Sequence, residues 1–276
     1  MAWKEVFTFR RVCASFVAAN GVVLFSNYRK LQLGRPEYKD GPPPEEKHRI
    51  AIFDSIAPTY DLKYNDVHKK LGITATKTSM LKCAKGDVLE VAAGTLESLK
   101  LYGAIESLTA VDKSVMMCLE MKRKVEDAKP DFPVTIICGD ASDLPFENES
   151  FHTLVTSHAL CSVEHPERSL DEIARVMKPS GRYFALERGK VYYRYLRSVL
   201  EWLKVYPNPG VPWKYGHFEN RDPIELKVTD SEIFGYGMNY AIVARRQHSD
   251  KITEFANDPT PREGAKIVYQ YFPHTL

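Results

Sequence analysis

The stretch that most constrains this chain is Asp87-Val88-Leu89-Glu90-Val91-Ala92-Ala93-Gly94-Thr95. An apolar run that breaks abruptly into small residues is a buried parallel strand leaving its sheet through a tight turn, where bare backbone can approach a ligand closely. Further on, Leu108-Thr109-Ala110-Val111-Asp112 is a second short apolar strand ending in a carboxylate. An α/β nucleotide fold places its acceptor for ribose hydroxyls at that point. The pair constrains the chain more than either half.

Strand and helix patterns alternate around this pair, which predicts a parallel sheet covered on both faces. Val134 to Cys138 forms a third strand ending at Gly139-Asp140, Leu154-Val155-Thr156 lies in a fourth, and Arg182 to Leu186 is a fifth. Ser114 can cap a helix carrying Val115, Met116, Leu119 and Val125. Pro166 suits the first turn of a helix with Leu170, Ile173, Ala174 and Met177 on one face, stopped by Lys178-Pro179-Ser180-Gly181. Val191 to Tyr206 is an amphipathic helix, and Ile224–Phe234 with Met238–Arg246 is a closing antiparallel pair. Pro207 to Pro223 is a long loop of the kind that serves as a lid or partner surface.

The ends differ from this domain. Residues 12–25 are uncharged between Arg10-Arg11 and Arg29-Lys30, which is short for a span but consistent with a membrane anchor through residues 12–28. The basic, aromatic-interleaved first residues also fit a targeting helix, and the plainer reading is a tail helix packed on the protein's own surface. The organisation expected is an anchor or targeting helix over 1–30, a Pro/Gly-rich linker over 31–46, a domain over 47–246 and a surface tail over 247–276. Thirty-eight Lys plus Arg against 36 Asp plus Glu gives a net charge of +2, so no global field favours nucleic acid. Five scattered cysteines without a C-x-x-C pair argue against a disulfide framework, and no metal site is expected.

Phe53-Asp54-Ser55-Ile56-Ala57-Pro58-Thr59-Tyr60-Asp61, Gly139-Asp140-Ala141-Ser142-Asp143-Leu144-Pro145-Phe146 and Arg175-Val176-Met177-Lys178-Pro179-Ser180-Gly181-Arg182 carry a family resemblance. In order and spacing these blocks resemble class I S-adenosylmethionine-dependent methyltransferases over roughly residues 50 to 246. The nearest similarity is to the ubiquinone and menaquinone biosynthesis enzymes and their membrane-anchored mitochondrial and endoplasmic-reticulum relatives. The resemblance implies a Rossmann-like, seven-stranded, mostly parallel sheet with helices on both faces and the last strand antiparallel. It implies S-adenosylmethionine as cofactor. Ala92 and Gly94 would admit the cofactor to the backbone, the N-terminus of a following helix would favour its carboxylate, and Asp112 would take the ribose. Asp140 would meet the adenine amino group and Ala141 the ring. Ser157 and His158 would line the floor near the sulfonium, and Glu90 would orient the turn or the cofactor amino group. Tyr60 and Lys113 also belong to the implied cofactor set. No catalytic residue is named, because alignment and desolvation of the acceptor can suffice.

Two departures stand out. The family turn has glycine where this chain has Ala92 and Leu96, and a branched side chain at 96 predicts a clash with the cofactor or a backbone conformation that glycine adopts readily. His152 stands where the family has an aspartate. The expected function is a membrane-associated methyltransferase acting on a small or lipid-like acceptor, in the mitochondrion at the inner membrane or else in the endoplasmic reticulum. The alternatives are an inactive accessory subunit of a mitochondrial complex, contacting it through the tails and the 207–223 loop, and an organellar RNA or protein methyltransferase.

Overall fold

Side chains alternate across a strand, and in the first central strand, β1 (Asp87–Val91), that alternation feeds two separate cores. Leu89 and Val91 join one cluster with Leu154, Leu170, Ile173, Tyr183 and Ile242. Val88 joins the other, with Leu108, Ala110, Met121, Val125 and Phe184. All are buried, so the central strands are dry on both faces, as a parallel sheet built from crossovers requires. The computed structural model describes residues 45–188, 226–234, 239–246 and 266–273. These all belong to one unit, Pro44–Leu196 with Val211–Leu276.

Three helices precede the sheet: α1 (Glu46–Ile56), α2 (Tyr60–Lys70) after a single 3-10 turn, and α3 (Ile73–Leu81). Then β1 is followed by β2 (Ser107–Asp112), α4 (Val115–Ala128), β3 (Val134–Cys138), β4 (Phe151–Ser157), α5 (Pro166–Val176) and β5 (Met177–Arg188). The described chain closes with β6 (Leu226–Phe234), β7 (Asn239–Arg246) and β8 (Lys266–Tyr271). The sheet order is β6-β7-β5-β4-β1-β2-β3-β8. Strands β1 to β5 pair in parallel, whereas β5–β7, β6–β7 and β3–β8 pair antiparallel. The order reverses at β1, so a crevice opens at the carboxyl ends of β1 and its neighbours.

Local chemistry accounts for the helix ends near that crevice. Ser114 Oγ accepts the Met117 N–H at 3.1 Å and caps α4. Asp54 of α1 accepts from Ser114 Oγ at 2.5 Å and from the Met116 N–H at 3.2 Å, which pins the N-terminal motif over the start of α4.

Several expectations are corrected. The sheet has eight strands rather than seven, because Lys266–Tyr271, assigned to a surface tail, pairs with β3 and packs Val268, Tyr269 and Tyr271 against the second core. Glu46, assigned to the linker, is the first residue of α1. The helix before β5 ends at Val176, and Pro179 and Gly181 lie inside β5. The 1–30 segment, the helix over 191–206, the 207–223 loop and most of the C-terminal segment lie outside the described residues. Among the described residues no helix is long and apolar enough to cross a membrane.

Candidate active site

The crevice is a cleft of about 1020 Å³, part of it open to solvent. One half is built from the ends of β1, β2 and β3. Here the turn after β1 carries left-handed backbone at alternate residues, with φ of 50° at Ala92, 59° at Gly94 and 56° at Leu96. The turn therefore keeps a glycine conformation at two positions that are not glycine. Each such residue costs about 1–2 kcal/mol. Leu96 offsets its share by burial: it is 1% exposed and packed in the second core, a gain of about 1.5–3 kcal/mol. The expected clash does not occur, because Leu96 points away from the cleft, which is lined instead by Ala92, Ala93, Gly94, Thr95 and Glu97.

Asp112 locks this turn. One carboxylate oxygen accepts the Gly94 N–H at 2.8 Å and the other the Ser114 N–H at 2.9 Å. Burial pushes its pKa up, and those two backbone donors oppose the shift. Each oxygen keeps a lone pair for a further donor. Lys113 then bridges Glu46 of α1 and Asp140, each at 2.5 Å. Asp140 also accepts from Ser142 N and Oγ, both at 2.8 Å. Its burial would raise the pKa, but the Lys113 and Ser142 hydrogen bonds prevail and hold it below the usual value.

The other half is made of side chains from α2 and α3, Glu97 of the turn, and the end of β4 with the loop that follows it. Tyr60, His68, Lys77, Glu97, Ser157, His158 and Ser162 line it. His158 has a φ of 52°, and its Nε2 lies 3.3 Å from Asn239 Oδ1. Burial, then the charge of Arg188, hold its pKa well below 6.5, so it is a neutral imidazole. Burial pushes the Tyr60 phenol up. Beneath the His158 turn, Glu187 is 2% exposed; one oxygen accepts the Ala159 N–H at 3.3 Å and Oε2 has no hydrogen-bond partner. Burial pushes Glu187 up to about 7.

Nine of the ten predicted cofactor residues line the cleft: Tyr60, Ala92, Gly94, Asp112, Lys113, Asp140, Ala141, Ser157 and His158. Glu90 does not. Strand alternation puts it on the Val88 face, where Oε2 accepts from Ser98 Oγ at 2.5 Å and Tyr102 OH at 2.6 Å, so it braces the turn from behind. The expected helix after the turn is also absent, replaced by a single 3-10 turn at Leu99–Leu101. No helix N-terminus faces the cofactor's carboxylate there. His152 sits at the opposite end of β4, where Nδ1 accepts the Asp87 N–H at 3.1 Å, so that departure from the family does not touch the cleft. Asp87, Glu106 and His152 are the one metal-capable trio among the described residues, and Lys178 Nζ already lies 3.6 Å from Asp87 and 3.2 Å from His152. Sequence reasoning missed His68, Lys77 and Glu97. The available signal was the Tyr60, Tyr64, His68 spacing of one helix face.

Residues 89–185 match the methyltransferase domain family. The demethylmenaquinone methyltransferase of Thermobifida fusca is 31% identical over 188 residues, covering 66% of this chain and 77% of that protein. This chain belongs to the S-adenosylmethionine-dependent methyltransferases. The yeast protein named Methyltransferase OMS1, mitochondrial, from Saccharomyces cerevisiae, is 27% identical over 222 residues, which is 71% of this chain and 46% of that protein. The chain thus spans about half the length of that methyltransferase. Among solved structures, the DhpI–SAH complex superposes with a TM-score of 0.53 at 16% identity, covering 74% of this chain and 98% of that one, a likeness of fold. The family cofactor is S-adenosylmethionine, and the donor set fits it. A Cβ built at Gly94 meets nothing within 4 Å, so the turn offers open space beside backbone, flanked by the Asp112 and Asp140 carboxylates.

Proposed function

We propose that the protein transfers the methyl group of S-adenosylmethionine to a small or lipid-like acceptor bound against α2 and the end of β4. The observation that carries this reading is Leu96. Its side chain is spent in the core while the turn keeps its left-handed path, so the substitution that argued for a closed site leaves the cleft open. The inactive-subunit reading loses its main motive with it.

The cofactor supplies a methyl group on a positively charged sulfur. The chain's task is to hold, orient and dry the reactants. Asp112 is suited to accept from ribose hydroxyls, Asp140 to accept from the adenine amino group, and Ala141 to lie against the ring. Lys113 joins α1 to this edge through Glu46 and Asp140. Ser157 and neutral His158 form the floor, where the absence of charge on the imidazole avoids repelling a cationic donor.

A lipid-soluble acceptor is supported by the names of the relatives, which act on demethylmenaquinone, and by the apolar segment at 12–28 as a tether. A mitochondrial site, with inner-membrane association, is supported by the name of OMS1 and the basic, aromatic first residues. The test is full-length protein in detergent with methyl-labelled cofactor and demethylated naphthoquinol. Label recovered in the quinol supports the proposal. Cofactor binding without label transfer to quinol, thiol or phospholipid acceptors would overturn it.

A further inference from the structure

Glu97 is the residue next to strained Leu96, and the anchored leucine turns it into the cleft. There Oε2 lies 3.4 Å from His68 Nδ1 and 3.9 Å from Lys77 Nζ. His68 and Lys77 are each 7% exposed, and both line the same cleft wall. Burial would raise the pKa of Glu97, but the His68 hydrogen bond and the Lys77 charge prevail and keep it lowered, hence ionised. A carboxylate at Nδ1 selects the tautomer with the proton on that nitrogen and leaves Nε2 as the basic lone pair. Among the described residues Nε2 makes no hydrogen bond.

The element carrying His68 is tied to the cofactor half. Thr95 Oγ1 donates to Asp61 Oδ1 at 2.6 Å, and Lys124 pairs with the other oxygen of Asp61, at the first turn of α2. Along α2, Tyr60, Tyr64 and His68 form a ladder of rings, with centroids 4.6 and 6.2 Å apart. Among the described residues lining this wall the other histidine is His158, whose ring lies 5.6 Å from that of His68; buried and beside the charge of Arg188, it is a poor proton acceptor.

From this geometry we infer that Glu97 and His68 form a proton-accepting dyad, with Lys77 beside it, and that the acceptor is an aromatic hydroxyl compound seated against Tyr60 and His68, the two rings of α2 that line the cleft. The inference rests on the methyltransferase reading. In the step, the hydroxyl proton passes to His68 Nε2, giving an imidazolium that Glu97 neutralises. The oxygen or its conjugated ring carbon supplies the electron pair for the new bond to the methyl carbon. The carbon–sulfur bond breaks with its pair remaining on sulfur. With a ring-carbon acceptor the His68 imidazolium returns its proton to the carbonyl oxygen, and the freed imidazole takes the ring-carbon proton and passes it to water, so in either case one proton is released per methyl group transferred. Such a base contributes typically about 10²–10⁴-fold. A 3.4 Å contact is of the kind that tightens when the acceptor binds.

The test uses full-length protein saturated with S-adenosylhomocysteine and 4-nitrophenol as the probe, read by the absorbance of its ionised form. The ratio of ionised to neutral phenol should rise about tenfold on binding at fixed pH, equivalent to one pKa unit. It should fall back to the free value in His68→Gln and in Glu97→Gln, while His68→Gln keeps its affinity for S-adenosylhomocysteine by calorimetry. Nitrogen-15 spectra should show the Nδ1–H tautomer at His68 in the parent and its loss of preference in Glu97→Gln. A phenol that fails to bind, stays neutral, or ionises equally in both variants overturns the dyad. Failure to bind S-adenosylhomocysteine overturns the methyltransferase reading itself, so the two failures are separable.

Discussion

The two halves of the cleft are made of different materials. The cofactor half is backbone held by a few fixed carboxylates: left-handed turns at Ala92, Gly94 and Leu96, with Asp112 gripping the Gly94 and Ser114 amides. The acceptor half is side chains from distant parts of the chain, His68, Lys77, Glu97 and His158. A backbone cradle tolerates changes of side chain if the dihedral path survives, which is how Ala92 and Leu96 replace glycine. A side-chain wall has no such tolerance, because each group acts through its own chemistry. On the proposed function, family identity resides in one half and acceptor choice in the other.

Four substitutions bear on this contrast, from the largest effect down. Leu96→Ala removes the anchor that offsets the strained turn, and folding stability by denaturant titration should fall by about 2–5 kcal/mol. A change under about 1 kcal/mol would mean the turn holds without it. Asp112→Ala leaves two amides without an acceptor, and calorimetry should show affinity for S-adenosylhomocysteine reduced roughly 100-fold, about 2.7 kcal/mol. Retained affinity would show that the backbone alone suffices.

Glu187→Gln probes the support under the acceptor half. The folded pKa of Glu187 is raised by burial from 4.5 to about 7, so the native state binds more protons than the unfolded chain between those values. Its contribution is complete below pH 4.5 and lost as pH rises through about 7. Thermal melts at pH 8 should therefore find the glutamine form more stable by roughly 2–3 kcal/mol, with the difference vanishing near pH 4. The smallest effect is Ala92→Gly, which relieves strain in the turn but adds freedom to the unfolded chain, for a net change within about 1 kcal/mol.

What could be read from the sequence follows the same division. The strand ends at Val91, Asp112 and Cys138 are legible because a buried apolar run followed by small or acidic residues has few other uses. Of the two roles expected for Glu90, it braces the turn and does not reach the cleft, since a motif position does not say which face a side chain takes. Strand β8 was hidden because Ile267, Val268, Tyr269 and Tyr271 follow a polar, proline-containing stretch and pair with β3, more than a hundred residues earlier. The Glu97–His68 contact was invisible for the same reason: it joins residues 29 apart that only the packing of α2 over the turn brings together.

The most direct measurement of the central claim is titration of the full-length protein with S-adenosylmethionine and S-adenosylhomocysteine, followed by calorimetry and thermal melting. The open cradle predicts a one-to-one binding isotherm. At a hundredfold excess over the dissociation constant it predicts stabilisation of about 2.7 kcal/mol, seen as a clear rise in Tm. No heat and no rise in Tm at millimolar cofactor would contradict it and show that the strained turn at Ala92 and Leu96 does not admit the cofactor.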